Sequence, residues 1–168
     1  APLQLGDEFY YAYYHNDIWS VKRARMRFDS IQNPAIAPVF EQLEGIPGMP
    51  YTEQSQSGFS LVGDRVYFSQ VNNDFTQLMT GSWQDGHIMT AYVMDVVNAE
   101  GGINTMPQVA VIDGKEHLFF VSDRPGGEGG LDIWYSVNDN GWKKPKNAGK
   151  RVNSEGDEIT PFYHQGRL

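Results

Sequence analysis

Leu118-Phe119-Phe120-Val121-Ser122-Asp123-Arg124-Pro125-Gly126-Gly127-Glu128-Gly129-Gly130-Leu131-Asp132-Ile133-Trp134 decides the fold. From Leu118 to Ser122 the run is apolar and bounded by turn formers, as expected for a strand buried on both faces. The stretch from Asp123 to Gly130, with glycine at 126, 127, 129 and 130, then reverses the chain. Leu131 to Ser136 alternates in the manner of a half-exposed strand.

The flanks extend this pair. Upstream, Pro107 to Ile112 is a short apolar strand closed by Asp113-Gly114, a dipeptide that tolerates positive φ at both positions and so favours a tight hairpin. Downstream, Asn140-Gly141 gives a second hairpin and Trp142-Lys143-Lys144-Pro145 a fourth strand. Proline cannot donate to a ladder and lysines discourage edge pairing, so this strand reads as an edge. Four antiparallel strands, apolar inside and polar at the rim, make a propeller blade.

The blade recurs. A glycine turn followed by an aromatic strand stands at Gly6-Asp7-Glu8-Phe9-Tyr10-Tyr11, at Gly63-Asp64-Arg65-Val66-Tyr67-Phe68 and at Gly114 to Phe120, and a fourth copy begins at Gly166-Arg167-Leu168. The turn glycines are 57, 51 and 52 residues apart, the mark of a repeat architecture. Ile103-Asn104-Thr105 answers Val152-Asn153-Ser154, and Asp17-Ile18-Trp19 answers Asp132-Ile133-Trp134. In the second copy the third strand is expected near Ile88 to Val93, which makes Phe75 to His87 an insertion. Glu158 to Tyr163 is expected to be strand one of the next blade.

The expectation is an all-β chain: a partial β-propeller of about three four-stranded antiparallel blades, at 1–50, 51–103 and 104–153, plus the start of a fourth at 154–168. Three blades and a stub do not close a ring, so the open side is expected to be covered by the rest of the same propeller or by another chain. A strand follows Ala1 within a few residues, so the start reads as an internal cut.

Composition fits. Aromatic residues make up 13% of the 168, charged residues only 20%, and there are 18 glycines and 9 prolines, a mix suited to short strands and turns. With 13 basic against 21 acidic residues the net charge is -8, which lacks the electrostatic footprint of nucleic-acid binding. Lys22-Arg23-Ala24-Arg25-Met26-Arg27 is the one basic cluster and reads as the polar face of an exposed strand. The absence of cysteine excludes disulfides and thiolate metal sites. No apolar run approaches the ~20 residues a membrane helix needs.

The run from Leu118 to Trp134 resembles the TolB-type, WD-like propeller repeat. With Val152-Asn153-Ser154-Glu155-Gly156-Asp157-Glu158 and Pro161-Phe162 following, it is similar to propellers of multidomain OmpA-like lipoproteins of Bacteroidetes, one family of which belongs to the type IX secretion and gliding machinery. The likeness is strong over 104–168 and weaker over 1–103, where Tyr13-Tyr14-His15-Asn16 and Ser69-Gln70-Val71-Asn72 replace the Ser-Asp-Arg and glycine run. Its structural motif comprises Ser122, Asp123, Arg124, Gly126, Gly127, Gly129, Gly130, Asp132, Ile133 and Trp134. The resemblance implies a periplasmic, outer-membrane-associated scaffold that binds protein partners, with no enzyme activity and no cofactor.

Candidate chemistry is sparse. Asp123, Glu128 and Asp132 lie around flexible backbone and are oxygen ligands of the kind calcium takes, but their spacing is not that of an EF-hand, and capping of turn amides is the preferred reading. Ser136-Val137-Asn138-Asp139-Asn140-Gly141-Trp142 narrowly misses an Asp-box and reads as a hairpin. The histidines at 15, 87, 117 and 164 have no paired metal-ligand spacing, and no Gly-x-Ser-x-Gly elbow exists. Tyr10, Tyr67, Phe119 and Trp134 read as blade core.

Two functions follow. The first is a scaffold that contacts partners through its blade-tip loops and the segment Phe75 to His87. The second is a five-bladed glycosidase, which the segments Gly6 to Tyr11 and Phe162 to Leu168 faintly resemble. The glycosidase requires carboxylates converging on a central pocket from several blades.

Overall fold

The structure is a computed structural model; it describes residues 3–6, 8–15, 18–27, 39–42, 56–72 and 74–168. Asp7, Asp17 and the expected blade boundary at 50/51 lie outside the described residues. The described chain is all β, with no helix, and forms three four-stranded sheets. The first holds β1 (Leu3–Leu5), β2 (Glu8–His15), β3 (Ile18–Arg27) and β4 (Val39–Gln42). The second holds β5 (Gln56–Val62), β6 (Arg65–Asn72), β7 (Phe75–Gln84) and β8 (His87–Val93). The third holds β9 (Asn104–Ile112), β10 (Lys115–Ser122), β11 (Asp132–Val137) and β12 (Lys146–Asn147). Each sheet runs in sequence order with antiparallel neighbours. These are blades of a β-propeller, and the fold expected from the sequence is the one observed.

The middle blade packs on both sides because β6 alternates. Val66 and Phe68 turn toward the first blade, where they join Tyr10, Phe59, Met79 and Ile88. Tyr67, between them, turns the other way and packs with Leu78, Met94, Val97, Val109, Leu118, Phe120 and Trp134. Successive side chains leave a strand on opposite faces, so an unbroken apolar run means two buried faces. Each fully buried residue of this size contributes roughly 1.5–3 kcal/mol over exposure. Tyr10 stacks on Phe59 at 5.2 Å, and the Trp83 ring meets both edge-on. Tyr10, Tyr67, Phe119 and Trp134 are all buried, as their spacing predicts.

The innermost strands β5 and β9 run close together. The Val109 amide donates to Ser60 Oγ at 2.9 Å, and a Cβ on Gly58 would lie 2.7 Å from Pro107 Cδ.

Four local expectations are corrected. Phe75 to Gln84 is no insertion but the third strand itself, and His87–Val93 is the fourth. Gly81 misleads because it serves close approach: a Cβ there would stand 2.0 Å from the Thr90 carbonyl oxygen. The true turn is Asp85-Gly86, with φ of 50° and 80°. In the third blade the outer strand is Lys146–Asn147, not Trp142 to Pro145. Trp142 bridges Asn138 to close the hairpin, and Pro145, with no N–H to give, delays renewed pairing until Lys146 meets Tyr135. Strand β11 is mostly buried rather than half exposed. Finally, Glu158 to Tyr163 forms no ladder among the described residues. The segment is held instead by Glu158 N–H donating to Leu131 O and Tyr163 N–H donating to Gln108 Oε1, with the Tyr163 ring stacked on Phe119 at 5.7 Å.

Candidate interaction surface

The glycine loop uses its polar groups internally. Asp123 Oδ1 accepts from the Ile103 amide at 2.7 Å, and Asp132 Oδ2 accepts from the Glu128 amide at 2.6 Å. Glu128 lies 3.7 Å from Lys150. Ser122 Oγ donates to Asn104 Oδ1, and Arg124 Nη2 donates to both Asn104 Oδ1 and the Val97 carbonyl. The Arg124 guanidinium lies 4.8 Å from the Phe120 ring centre and 5.2 Å from that of Trp134. Burial pushes this guanidinium down to about 10, against the opposing pull of Asp123.

The loop glycines are packing requirements. A Cβ on Gly127 would lie 1.8 Å from Asp132 Oδ2, and one on Gly129 would lie 2.2 Å from Gly156 O. Gly130 is confined by the Asp157 carboxylate, and Gly126 sits at φ 93° beside Trp134. Ile133 is gripped on both backbone groups by Asn153. Asp123, Glu128 and Asp132 are thus each engaged within the fold, and among the described residues no three His, Asp or Glu side chains converge as metal ligands. Asp132 Oδ1 and Trp134 Nε1 are buried without a partner.

The inner strands β1, β5 and β9 carry no Asp or Glu. The histidines serve locally: His87 Nδ1 lies 2.7 Å from Asp85 O, His117 stacks on Phe119, and His164 on Phe162. The His15 side chain lies outside the described residues.

A cleft opens instead between the second and third blades. One part, about 390 Å³, is lined by Asp64, Arg65, Thr80, Ser82, Tyr92 and Trp142. A second, about 290 Å³, continues past Thr80 and Trp142 to Val93, Asp95 and Val96. Tyr67 meets Trp142 edge-on at 5.7 Å and fixes its ring. Beneath them Glu116 Oε2 accepts from Arg65 at 2.9 Å, from the Tyr67 hydroxyl at 3.1 Å and from Asn138 Nδ2 at 2.9 Å. Burial, with the Glu116 charge adding to it and Arg65 opposing, holds the Tyr67 phenol well above its ordinary range.

Sequence reasoning misses this cleft because its lining comes from three separate hairpins. The available signal is the composition of β8, which has neither proline nor a Lys, Arg, Asp or Glu, although it is an outer strand. Met89, Tyr92, Val93 and Val96 stand exposed along that rim at 60%, 62%, 40% and 55%.

No protein-family description and no curated protein matches the chain. Among solved structures, the crystal structure of a thermostable family-43 glycoside hydrolase is similar at a TM-score of 0.57 and 12% identity, over 90% of this chain. The chain spans about half of that protein, 54% of its length. At this identity the likeness carries the fold alone, and that fold is of the propeller type.

Proposed function

We propose that this chain is the propeller segment of a non-catalytic scaffold that binds protein partners in a periplasmic, outer-membrane-associated assembly of the type IX secretion kind. The observation that carries the binding role is the exposure of Met89, Tyr92, Val93 and Val96 on and just after the outer strand β8, of which Tyr92, Val93 and Val96 line the cleft with Trp142. Large apolar side chains left exposed beside a cleft are typical of interaction sites. The location rests on the resemblance of Leu118 to Trp134 to lipoprotein propellers. Asp123, Arg124 and Asp132 of that signature support the same reading, since each holds a backbone group of the fold.

A glycosidase is the second reading, favoured by the fold likeness to a glycoside hydrolase. It needs an acid and a nucleophile or base near the propeller axis, and the innermost strands β1, β5 and β9 supply none. Incubation with a panel of aryl glycosides separates the two. The scaffold reading expects no release above buffer; release abolished by one carboxylate substitution overturns it. Fractionation and in-cell cross-linking test the location, which fails if the protein is recovered away from the outer membrane.

A further inference from the structure

Blades two and three treat their outer edges differently. In the third, β12 spans only Lys146–Asn147 and is preceded by Lys143, Lys144 and Pro145, so charge, proline and brevity all guard it. In the second, β8 runs over His87–Val93, and its only guard is a bulge at Met89, between the pairs Ser82↔Thr90 and Trp83↔Ile88. Among the described residues β8 pairs with β7 alone. Beyond the bulge, Thr90 to Val93 pair regularly with β7 and leave their outer backbone groups in register for another strand.

We propose that this edge takes up an extended, basic segment of a partner protein as a fifth strand of the blade. The proposal rests on the scaffold reading and names the partner chemistry of its surface. Strand addition supplies affinity through main-chain hydrogen bonds and specificity through pockets for alternate side chains. The cleft provides such a pocket: Thr90 and Tyr92, two residues apart on one face of β8, line it together with Trp142.

Charge selects the occupant. Asp64 and Asp95 line the two parts of the cleft, are exposed, and have no ion pair among the described residues. The cation in the lining, Arg65, is matched by Glu116 at 2.9 Å. The cleft is therefore net acidic and holds two aromatic rings, an environment that attracts Lys or Arg by Coulomb and cation–π terms. A second copy of this chain suits the site poorly, because its net charge is -8.

The test is calorimetric titration of the whole chain with a short synthetic peptide alternating Lys with Val. Two control peptides carry Glu for Lys, or N-methyl groups on alternate amides that block the ladder. Binding of the first peptide alone is expected, weakened at least about tenfold by combined Asp64→Lys and Asp95→Lys and reduced by salt. Equal binding of the Glu peptide overturns the charge argument, and equal binding of the N-methylated peptide overturns strand addition. Absence of binding by the Lys peptide also overturns the proposal, as does protection of Trp142 fluorescence by a neutral oligosaccharide in place of the peptide. A photo-cross-linker at Tyr92 separates the levels of inference. Capture of a partner by a second variant with the cross-linker at the exposed Phe162, but not from position 92, leaves the scaffold standing and removes this site, whereas glycoside hydrolysis removes the scaffold itself.

Discussion

Asn98 and Asn153, 55 residues apart, make the same clamp in successive blades. Asn98 Oδ1 accepts from the Leu78 amide at 2.7 Å while its Nδ2 donates to the Leu78 carbonyl at 3.0 Å. Asn153 does likewise to Ile133, at 2.9 and 3.0 Å. The turns match as well: the amides of Val97 and Asn98 donate to Met94 O, and those of Val152 and Asn153 to Gly149 O. The expected equivalence of Asn104 with Asn153 is thereby replaced, since Asn104 instead joins Thr76 to Arg124 and Ser122.

Asn153→Ala is expected to destabilise the chain by about 1–3 kcal/mol, because the buried Ile133 amide loses its acceptor. The Ile133 carbonyl keeps the Ala148 amide, and Asn147 Oδ1, which also loses Asn153 Nδ2, keeps the Gly149 amide, so the Ile133 amide is the one group left without a partner. Asn98→Ala should cost a similar amount at Leu78, whose carbonyl keeps the Met94 amide. Urea denaturation midpoints measure both; an unchanged midpoint for either variant removes the clamp from the account.

The clamp also explains what the sequence reveals and hides. The aromatic strands are legible because Val66 to Phe68 and Leu118 to Val121 must be apolar to fill two faces at once. The third strand of blade two is hidden because Asn98 binds backbone, which leaves Leu78 no need to resemble Ile133. Gly81 adds to the concealment, marking close contact with β8 where glycine in a polar run suggests a loop. In the signature loop the residues were legible but not their partners, since Asp123 reaches Ile103 and Arg124 reaches Val97 from distant sequence.

Gly129→Ala is expected to cost at least about 2 kcal/mol, because the new methyl meets the backbone oxygens of Gly156 and Ser154 at 2.2 and 2.6 Å. Gly156→Ala is the control: its nearest contact would be Ser154 Oγ at 3.4 Å, and its effect should stay within about 1 kcal/mol. Thermal melts of the two variants compare them directly, and equal losses would refute the steric explanation.

Ser60→Ala removes the acceptor of the buried Val109 amide and should cost about 1–3 kcal/mol. Hydrogen exchange offers a local readout. The Val109 amide is expected to lose protection before amides in the centre of β10 do; uniform loss would indicate general destabilisation rather than a broken inter-blade contact.

Tyr67 predicts the alkaline behaviour. Burial raises its folded-state pKa above the ordinary 10.0, so its stabilisation is complete below that pH and is lost as pH climbs toward the folded value. Tyr67→Phe should be less stable than the parent at neutral pH by about 1 kcal/mol, from the lost Glu116 hydrogen bond. The gap should narrow as the solution becomes strongly alkaline. Melting temperatures of parent and variant across that range decide it, and a gap that widens with pH has the wrong sign.

Because Asn153 holds Ile133 from outside the ladder, the third strand of its blade does not depend on a long outer neighbour to keep its alignment, and two residues of β12 suffice. The rim of the propeller is in this way released from structural duty. It can shorten, lengthen or change its chemistry from one blade to the next while the interior stays in place, which is how a guarded edge and an open one come to stand side by side on the same frame.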